Sequence, residues 1–346
     1  MALFSSLATA FVTILTPDVS LAQLPNGAGG DAVPRDVREI YDRGLQYLAT
    51  TQSDAGDWKG NGDHGPGITG LALMVMLASG EDPNFGIYSN HVRKALRNII
   101  GHQNVSTGYI GQSMYHHGFA MLALAEAYGA VDERTLWTGS EPTRRSIGAA
   151  LELAVRTAIT SQKQNPNGAW RYAPNAKDAD TSVSGAVMVG LLAARNAGIE
   201  VPDEVIDKGI QYFVSMTSDG GQVGYSGGFG GFDESLARIS IATLSYSVAR
   251  RKDLKQFKAT LAYLTRRLEG SGQEHYAEYT RYYQAQALFQ GDVEAWEKWN
   301  KQLVRQLKAN QLPDGSIRGQ FGPTVGTSMS LLALALNYKF LPIYER

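Results

Sequence analysis

Hydrophobic positions along the chain define two kinds of helical segment. Within residues 35–48, Val37, Ile40 and Tyr41 recur at helical spacing with charged residues between them, which predicts an amphipathic helix. Residues 70–78 are apolar on all sides, as in a helix surrounded by protein. This alternation predicts amphipathic helices outside and apolar helices inside. We predict six such pairs, whose second helices begin near Gly67, Tyr115, Asp180, Ser235, Tyr279 and Thr327.

The loop between the two helices of a pair has a recurring pattern, a glutamine followed by a glycine and, in several copies, an aromatic residue. Copies run over residues 52–58, 103–109, 164–170 and 311–317. The period of roughly 45–65 residues marks a repeat architecture. Glycine supplies the backbone geometry of the turn, and the glutamine can bond the loop backbone. We therefore predict that these residues join neighbouring repeats and carry no chemistry.

The last predicted helix, residues 327–338, is no more polar than its neighbours, whereas an open solenoid needs polar capping repeats. The sequence therefore predicts an all-α protein, a closed α/α toroid of six helix pairs, or α6/α6 barrel. Its Gln-(x)n-Gly-x-Trp loops resemble the repeats of squalene–hopene cyclases and protein prenyltransferase β subunits, which share an α/α toroid. The resemblance covers residues 36–346, with the fourth and fifth copies degenerate, and implies one toroid domain.

Composition narrows the function and the compartment. The net charge of −1 argues against nucleic-acid binding, which needs a basic surface. There is no cysteine, which excludes disulfides. It also excludes the zinc site of the protein prenyltransferases that the loops resemble, because that site needs a cysteine. We predict neither a metal nor a cofactor. His116 and His117 are neighbours that diverge by about 100° on a helix, which makes them poor joint ligands.

The N-terminus predicts export. Residues 3–15 are largely apolar and Ser20-Leu21-Ala22 is a small-x-small cleavage pattern, so residues 1–22 are a predicted signal peptide. The apolar run is too short for a transmembrane helix. Residues 23–35 form a flexible lead-in, and the protein is predicted to be periplasmic or extracellular. No Lys or Arg precedes the apolar run, which leaves open a start codon assigned too late or a segment that is not a signal.

Candidate chemistry lies where the inner helices begin. Asp178-Ala-Asp180-Thr181 resembles the Asp-x-Asp-Asp-Thr-Ala motif of squalene–hopene cyclases, with Thr181 in place of an aspartate. By position, the resemblance makes Asp180 the acid that protonates a terminal alkene. His117 is its expected partner, because a histidine and a helix N-terminus both stabilise the anion. Asp180 also fits a plain helix N-cap, and the two roles are compatible. Other residues expected at this mouth are Asp63, His64, Thr69, His116, Asp233, Glu234, Arg238, His275, Glu278, Tyr279, Arg281, Tyr282, Tyr283, Thr324 and Thr327.

The glycine-dense segment 220–231 lacks the Gly-Lys-Ser/Thr ending of a phosphate-binding loop. We interpret it as an elaborated loop of the fourth repeat, with a lid over the cavity as the alternative.

Three functions remain open on the sequence alone, and so does whether the protein is an enzyme. The first is a cyclase-like isomerase or lyase that acts on an isoprenoid. The second is a non-catalytic binder of a hydrophobic small molecule, or an interaction scaffold. The cyclases hold their substrate between two toroid domains, so an unknown protein partner could supply the toroid domain that this chain lacks. The third is a carbohydrate-active barrel that cleaves a glycan with paired carboxylates, Asp178 or Asp180 with Glu234 or Glu278.

Overall fold

The computed structural model describes residues 33–61, 65–137, 144–227, 235–268, 276–338, 341 and 343. These residues lie within one compact unit, Val33–Arg346, and contain helices but no strand. The all-helical prediction is confirmed. None of the described helices is long and apolar enough to cross a bilayer. The helices are α1 (Arg35–Thr51), α2 (Pro66–Leu77), α3 (Ser89–Gly101), α4 (Met114–Ala127), α5 (Ile147–Gln164), α6 (Thr181–Asn196), α7 (Asp203–Ser215), α8 (Leu236–Val248), α9 (Lys255–Thr265), α10 (Ala277–Gly291), α11 (Val293–Asn310) and α12 (Pro323–Ala335).

Odd-numbered and even-numbered helices form two layers. The odd-numbered helices bury one face: in α1 this face includes Val37, Ile40, Tyr41 and Leu45. Nearly every residue of α2, α4, α6, α8 and α12 is buried, because neighbours cover these helices on all sides. Helix α10 is equally buried although it is rich in tyrosine and glutamine. The inner layer is therefore less uniformly apolar than the sequence pattern predicts.

The inner helices contact one another in a cyclic order. Each of α2, α4, α6, α8, α10 and α12 packs against the next, and α12 packs against α2. The outer helix α1 packs against α11 and α12. Lys308 on α11 bonds Asp36 on α1 at 2.5 Å, and the Tyr41 and Tyr338 rings lie 4.9 Å apart. The last helix pair therefore contacts the first.

Four glutamines at or near the loops each join one repeat to the repeat that follows it. Each side-chain amide donates to a glycine carbonyl in its own loop and to a carbonyl in the following outer helix. Gln311 extends this pattern from the last loop to the first helix, because its amide donates to Ile40 O at 2.9 Å. The full set is Gln52 to Gly56 and His91, Gln103 to Gly108 and Ala150, Gln162 to Gly168 and Val205, and Gln311 to Gly315 and Ile40.

In the third repeat the bridging residue is Gln162, and the prediction of Gln164 is wrong. Gln164 is the exposed last residue of α5, and it uses its carbonyl to accept a bond from Lys177. The loop here contains an extra turn, held by Asn165, whose amide donates to Ala176 O and Asp178 O. This turn places Gln162 beside Gly168, six residues on, whereas the glutamine and glycine of the other copies are four or five residues apart.

Candidate active site

A cavity of about 460 Å³ opens where the inner helices begin. Its wall is largely aromatic, and no Asp, Glu, Lys or Arg is found among the described residues that line it. The lining residues are Asn61, Gly67, Ile68, Leu71, Ser113, Tyr115, His116, Phe119, Tyr172, Ser182, Tyr225, Tyr276, Tyr279, Phe321, Val325 and Met329. The cavity therefore suits a ligand that is mostly apolar.

Five aromatic rings pack together at the base of the cavity. Tyr115 and Phe119 project from α4, and Tyr279, Tyr282 and Tyr283 from α10, three steps away in the cyclic order. Successive rings in the order 115, 119, 282, 283, 279 and back to 115 have centroids 4.8 to 6.1 Å apart. Tyr282 and Tyr283 are predicted to line the cavity, and that prediction is wrong. They lie beneath the rings that do line it.

Two aromatic pairs form the rim. Tyr276 and Phe321 stack with their ring planes 9° apart and their centroids 5.4 Å apart. The second pair is Tyr172 and Tyr225, whose hydroxyls lie 3.3 Å apart. Tyr172, Tyr276 and Phe321 keep two fifths to a half of their surface exposed, which is unusual for large aromatic side chains.

Asp180 is the N-cap of α6 and is completely buried. Its Oδ1 accepts a hydrogen bond from the Val183 N–H at 2.8 Å, whereas Oδ2 has no hydrogen-bond partner among the described residues. Burial raises the pKa of Asp180, while the Val183 N–H and the nearby Arg171 charge oppose the rise. The carboxyl is thus biased towards its protonated form. The structure agrees with the N-cap interpretation.

Arg171 lies between Asp180 and two rim tyrosines. Its Nη1 is 3.5 Å from Asp180 Oδ2 and its Nε is 3.5 Å from Asp178 Oδ2. The guanidinium also lies 5.5 Å from the Tyr172 ring centroid and 5.4 Å from that of Tyr225, within cation–π range. Asp178 is largely exposed. Asp180 does not itself line the cavity, although Ser182 on the same turn of helix does.

His117 is not the partner of Asp180. It is fully buried, its Nδ1 accepts from the Ile110 N–H at 3.0 Å, and its Nε2 donates to Ala154 O at 3.0 Å. Ser184 and Thr327 bond the loop N–H groups of Trp170 and Ile317 in the same way, so His117 occupies a structural position of the repeat. Burial lowers the pKa of His117 to about 4, which keeps the ring neutral.

Of the predicted residues, His116 and Tyr279 are among those that line the cavity. The His116 ring packs against α2, where its Nδ1 accepts from the Gly67 N–H at 3.2 Å. A Cβ on Gly67 would come within 2.8 Å of the His116 backbone, so this contact requires glycine.

The other predicted residues that the structure describes are not among those that line the cavity. Thr181 donates to Gly224 O and Thr327 accepts from Ile317 N, so both hold loops in place. Glu278 is buried and accepts from the Phe321 N–H. Thr69 and Arg238 are buried in α2 and α8. The predictions for Asp63, His64, Asp233, Glu234 and His275 lie outside the described residues.

Among the residues that the structure describes, no group of three His, Asp or Glu side chains is arranged to hold a metal ion.

The described part of the glycine-dense segment is fixed in place. The Thr181 N–H donates to Tyr225 O, and Ser226 pairs with Asp180 in an antiparallel bridge. The lid interpretation therefore does not apply to residues 220–227.

Sequence reasoning missed Arg171, Tyr172 and Tyr225. Arg171 and Tyr172 directly follow Trp170, the loop aromatic, and a polar pair at that position was a signal that could have been read. Tyr225 lies between glycines in a segment that we interpreted only as a loop. Their contact with Asp180 depends on the meeting of two loops that are distant in sequence.

Comparison with known proteins identifies the fold class first. No family model and no curated protein matches the chain. An inactive variant of the α-1,6-mannanase GH76A of Salegentibacter sp. HEL1_6, in complex with α-1,6-mannotriose, superposes with a TM-score of 0.63 at 9% identity. The match covers 87% of this chain and 99% of that chain.

The type II terpene cyclase MstE from Scytonema also superposes, with a TM-score of 0.59 at 14% identity over 88% of this chain and 99% of that chain. A variant of MstE in complex with geranylgeranyl dihydroxybenzoate gives a TM-score of 0.61 at 12% identity over 88% of this chain and 98% of that chain. Both enzymes are α/α toroids, and this chain has an α/α toroid fold in a single domain. At these identities the similarity establishes the fold alone.

Proposed function

We propose that the cavity binds an isoprenoid chain of about 15–20 carbons and that Asp180 is the acid that starts its cyclisation. The observation that carries the proposal is a buried carboxyl, with its pKa raised by burial, next to a cavity whose described wall is aromatic and carries no acidic or strongly basic side chain.

The volume of the described cavity indicates the size of the substrate. A water- or methylene-sized group fills roughly 30 Å³ in a liquid, so 460 Å³ holds about 15 such groups. This matches a chain of 15–20 carbons. Squalene, with about twice that number, exceeds the cavity.

The wall suits the cations of a cyclisation. The negative faces of aromatic rings attract a positive charge by about 0.5–2 kcal/mol each. Tyr115, Phe119 and Tyr279 present rings to the cavity from its floor, and Tyr276 and Phe321 do so from its rim. A carbocation that migrates along a folded chain in this cavity stays close to at least one ring.

Asp180 carries the proton, and Arg171 stabilises the carboxylate that remains after the proton has left. Burial raises the pKa of Asp180 and so favours the protonated carboxyl that an acid catalyst needs. After the proton moves to an alkene carbon, the Arg171 guanidinium at 3.5 Å stabilises the carboxylate that forms. Tyr172 is half exposed, and its displacement by substrate opens the way from the cavity to Asp180.

The comparison with MstE supports a single-domain cyclase. This chain covers 98–99% of the MstE chains, so one toroid of this length is enough for a terpene cyclase. The expectation that a second domain is required rests on the larger cyclases and is no argument against this chain. Export through residues 1–22 stays a proposal that rests on the sequence pattern.

Glycan cleavage is the second candidate, because the mannanase superposes equally well. Its paired carboxylates are Asp178 or Asp180 with Glu234 or Glu278; Glu278 is buried and accepts from the Phe321 N–H, and Glu234 lies outside the described residues. Cleavage of a glycosidic bond requires carboxylates on either side of the sugar, whereas Asp178 is exposed and no described carboxylate lines the cavity. The geometry therefore favours the isoprenoid.

The test uses the purified protein with farnesol, geranylgeraniol, squalene and α-1,6-mannan. Products are followed by gas chromatography–mass spectrometry, or by reducing-sugar release for the mannan, and binding by calorimetry. We expect a cyclic product from farnesol or geranylgeraniol that Asp180→Asn abolishes and Asp178→Asn retains.

Each other outcome has a defined reading. Binding of geranylgeraniol without turnover in the wild type identifies a binder and removes the acid role of Asp180. Sugar release from mannan that is lost in both variants replaces the proposal with glycan cleavage. A product from squalene overturns the size argument.

A further inference from the structure

The polar groups of the cavity wall lie near its mouth. The residues that line it from the second turn of a helix, Leu71, Phe119 and Met329, are all apolar. Every polar lining residue lies in a loop or in the first turn of a helix, and those other than tyrosine are Asn61, Ser113, His116 and Ser182. A ligand oxygen buried at the deep end without a hydrogen bond weakens binding by about tenfold or more. The polar end of a ligand therefore belongs at the mouth.

His116 is held in one orientation at the start of α4. Its Nδ1 accepts from the Gly67 N–H of the neighbouring helix α2 at 3.2 Å. A Cβ on Gly65 would lie 2.6 Å from the His116 ring, and a Cβ on Gly111 would lie 3.1 Å from the His116 Cβ. Two glycine-containing loops therefore close around this side chain and fix its position before a ligand arrives.

This arrangement decides which ring nitrogen of His116 carries the proton. Because Nδ1 accepts a hydrogen bond, the proton of the neutral imidazole lies on Nε2. The side chain, which lines the cavity, therefore has a hydrogen-bond donor at Nε2. His116 makes at least one further contact besides the bond to Gly67. A ligand oxygen needs only to share or replace an acceptor at Nε2, since one N–H can serve two acceptors.

The charges around the mouth suit a neutral ligand oxygen and disfavour an anion. No Lys or Arg is found among the described residues that line the cavity. The segments 62–64, 228–234 and 269–275, which precede three of the inner helices, contain five acidic residues and no Lys or Arg. A diphosphate in this cavity has no lining cation among the described residues to offset its charge, whereas an alcohol or a carbonyl needs only a neutral donor.

We propose that the isoprenoid substrate carries a neutral oxygen head group, an alcohol or a carbonyl, and that the His116 Nε2–H binds this oxygen at the mouth of the cavity. This inference names the substrate class of the proposed function and rests on that function. His116 is then a specificity-determining residue that selects the head group, while Asp180 acts on the other end of the chain.

The positions of these two residues require a folded substrate. His116 contacts α2, whereas Asp180 begins α6, and α4 packs between these two helices in the inner layer. Neighbouring helices pack about 8–10 Å apart, so a straight C20 chain is longer than the distance between the two sites. The chain therefore bends into the apolar depth of the cavity and returns. Cyclisation needs such a bend, because the carbons that bond must come together.

The test compares three ligands that share one C20 chain: geranylgeraniol, the hydrocarbon with a hydrogen in place of the hydroxyl, and geranylgeranyl diphosphate. Equilibrium dialysis gives the dissociation constants for the full-length Asp180→Asn protein, which leaves the ligand unconsumed. The readout is the ratio of the dissociation constant of the hydrocarbon to that of the alcohol, in which the contribution of the chain cancels. The diphosphate should bind about tenfold more weakly than the alcohol, or weaker still.

Two substitutions separate the donor of His116 from its packing. His116→Asn keeps an acceptor for the Gly67 N–H but is too short to place a donor at Nε2, so it should lower the ratio about five- to tenfold. His116→Gln restores a donor near Nε2 and gives up the Gly67 bond. It should recover most of the ratio while being the less stable variant in urea. Ser182→Ala, which removes a polar lining group at the Asp180 end, is the matched control and should keep the full ratio.

An unchanged ratio in His116→Asn overturns the proposal. So does an equal fall in Ser182→Ala, or a diphosphate that binds more tightly than the alcohol. Turnover by the wild type tests the proposed function separately. Binding that depends on His116 without any cyclic product supports the head-group site and removes the acid role of Asp180. Cyclisation with the same ratio in His116→Asn does the reverse, and failure of all three ligands to bind overturns both.

Discussion

His117 offers a direct test of its structural role, through the pH dependence of stability. Its Nδ1 accepts from Ile110 N and its Nε2 donates to Ala154 O, so the buried ring must stay neutral. The perturbation is His117→Thr, because Thr327 makes the equivalent loop contact in the sixth repeat. The variant keeps an acceptor for Ile110 N–H but does not titrate.

The magnitude follows from the shift in pKa. Burial lowers the pKa of His117 from its ordinary 6.5 to about 4, and each unit is worth about 1.4 kcal/mol, so the group contributes about 3 kcal/mol. The unfolded chain binds the proton first. The contribution is therefore fully present above pH 6.5 and is lost as the pH falls to about 4.

At pH 7 the variant should be less stable than the wild type by about 2–4 kcal/mol, because Ala154 O loses its donor and the missing ring volume leaves a void. Urea unfolding of both proteins at half-unit steps from pH 7 to 4 should show this difference shrinking towards zero. Other titrating groups cancel in the difference. A pH-independent difference would refute the assignment of His117 as a buried neutral residue.

Two further predictions concern the contacts between the sixth loop and the first helix. Gly315→Ala should lower the free energy of unfolding in urea by about 2–4 kcal/mol, since the new Cβ would lie 2.1 Å from Arg43 O at a positive φ of 87°. The control Gly198→Ala, at φ 91° with open space around it, should cost only about 1 kcal/mol. Equal losses in the two variants would contradict the contact argument. Gln311→Ala should lower the free energy of unfolding by about 2 kcal/mol because two carbonyls lose their donor. Gln164→Ala, on the surface, should change it by no more than about 0.5 kcal/mol. A large effect at Gln164 would count against the bridging pattern.

Repetition made the fold predictable. Periodicity separates amphipathic from apolar helices locally, and a pattern repeated several times averages out errors in any single copy. The approach failed where one copy departs from the others. Gln162 replaces Gln164 because an extra turn at Asn165 changes the loop, and spacing alone cannot reveal which of two glutamines meets Gly168.

The candidate site was predicted only in part. Asp180 follows from local rules, since an aspartate before an apolar helix is an N-cap. The prediction that His117 is the partner of Asp180 was wrong. His117 lies near the start of an inner helix, but both of its ring nitrogens are hydrogen-bonded to the backbone. Tyr282 and Tyr283 follow Tyr279 along α10, but helix rotation turns them below the cavity floor.

The sequence by itself determined the helices, their two layers, the loop that joins each pair and the cap at Asp180, because all of these depend on residues close together in the chain. Only the tertiary structure decided what surrounds that carboxyl. Arg171 and Tyr225 belong to loops of different repeats, and they meet at Asp180 because α6 and α8 are neighbours in the inner layer. The charge and the solvent access of a buried acid are set by such non-local neighbours, which is why the chemistry of this site becomes visible only in three dimensions.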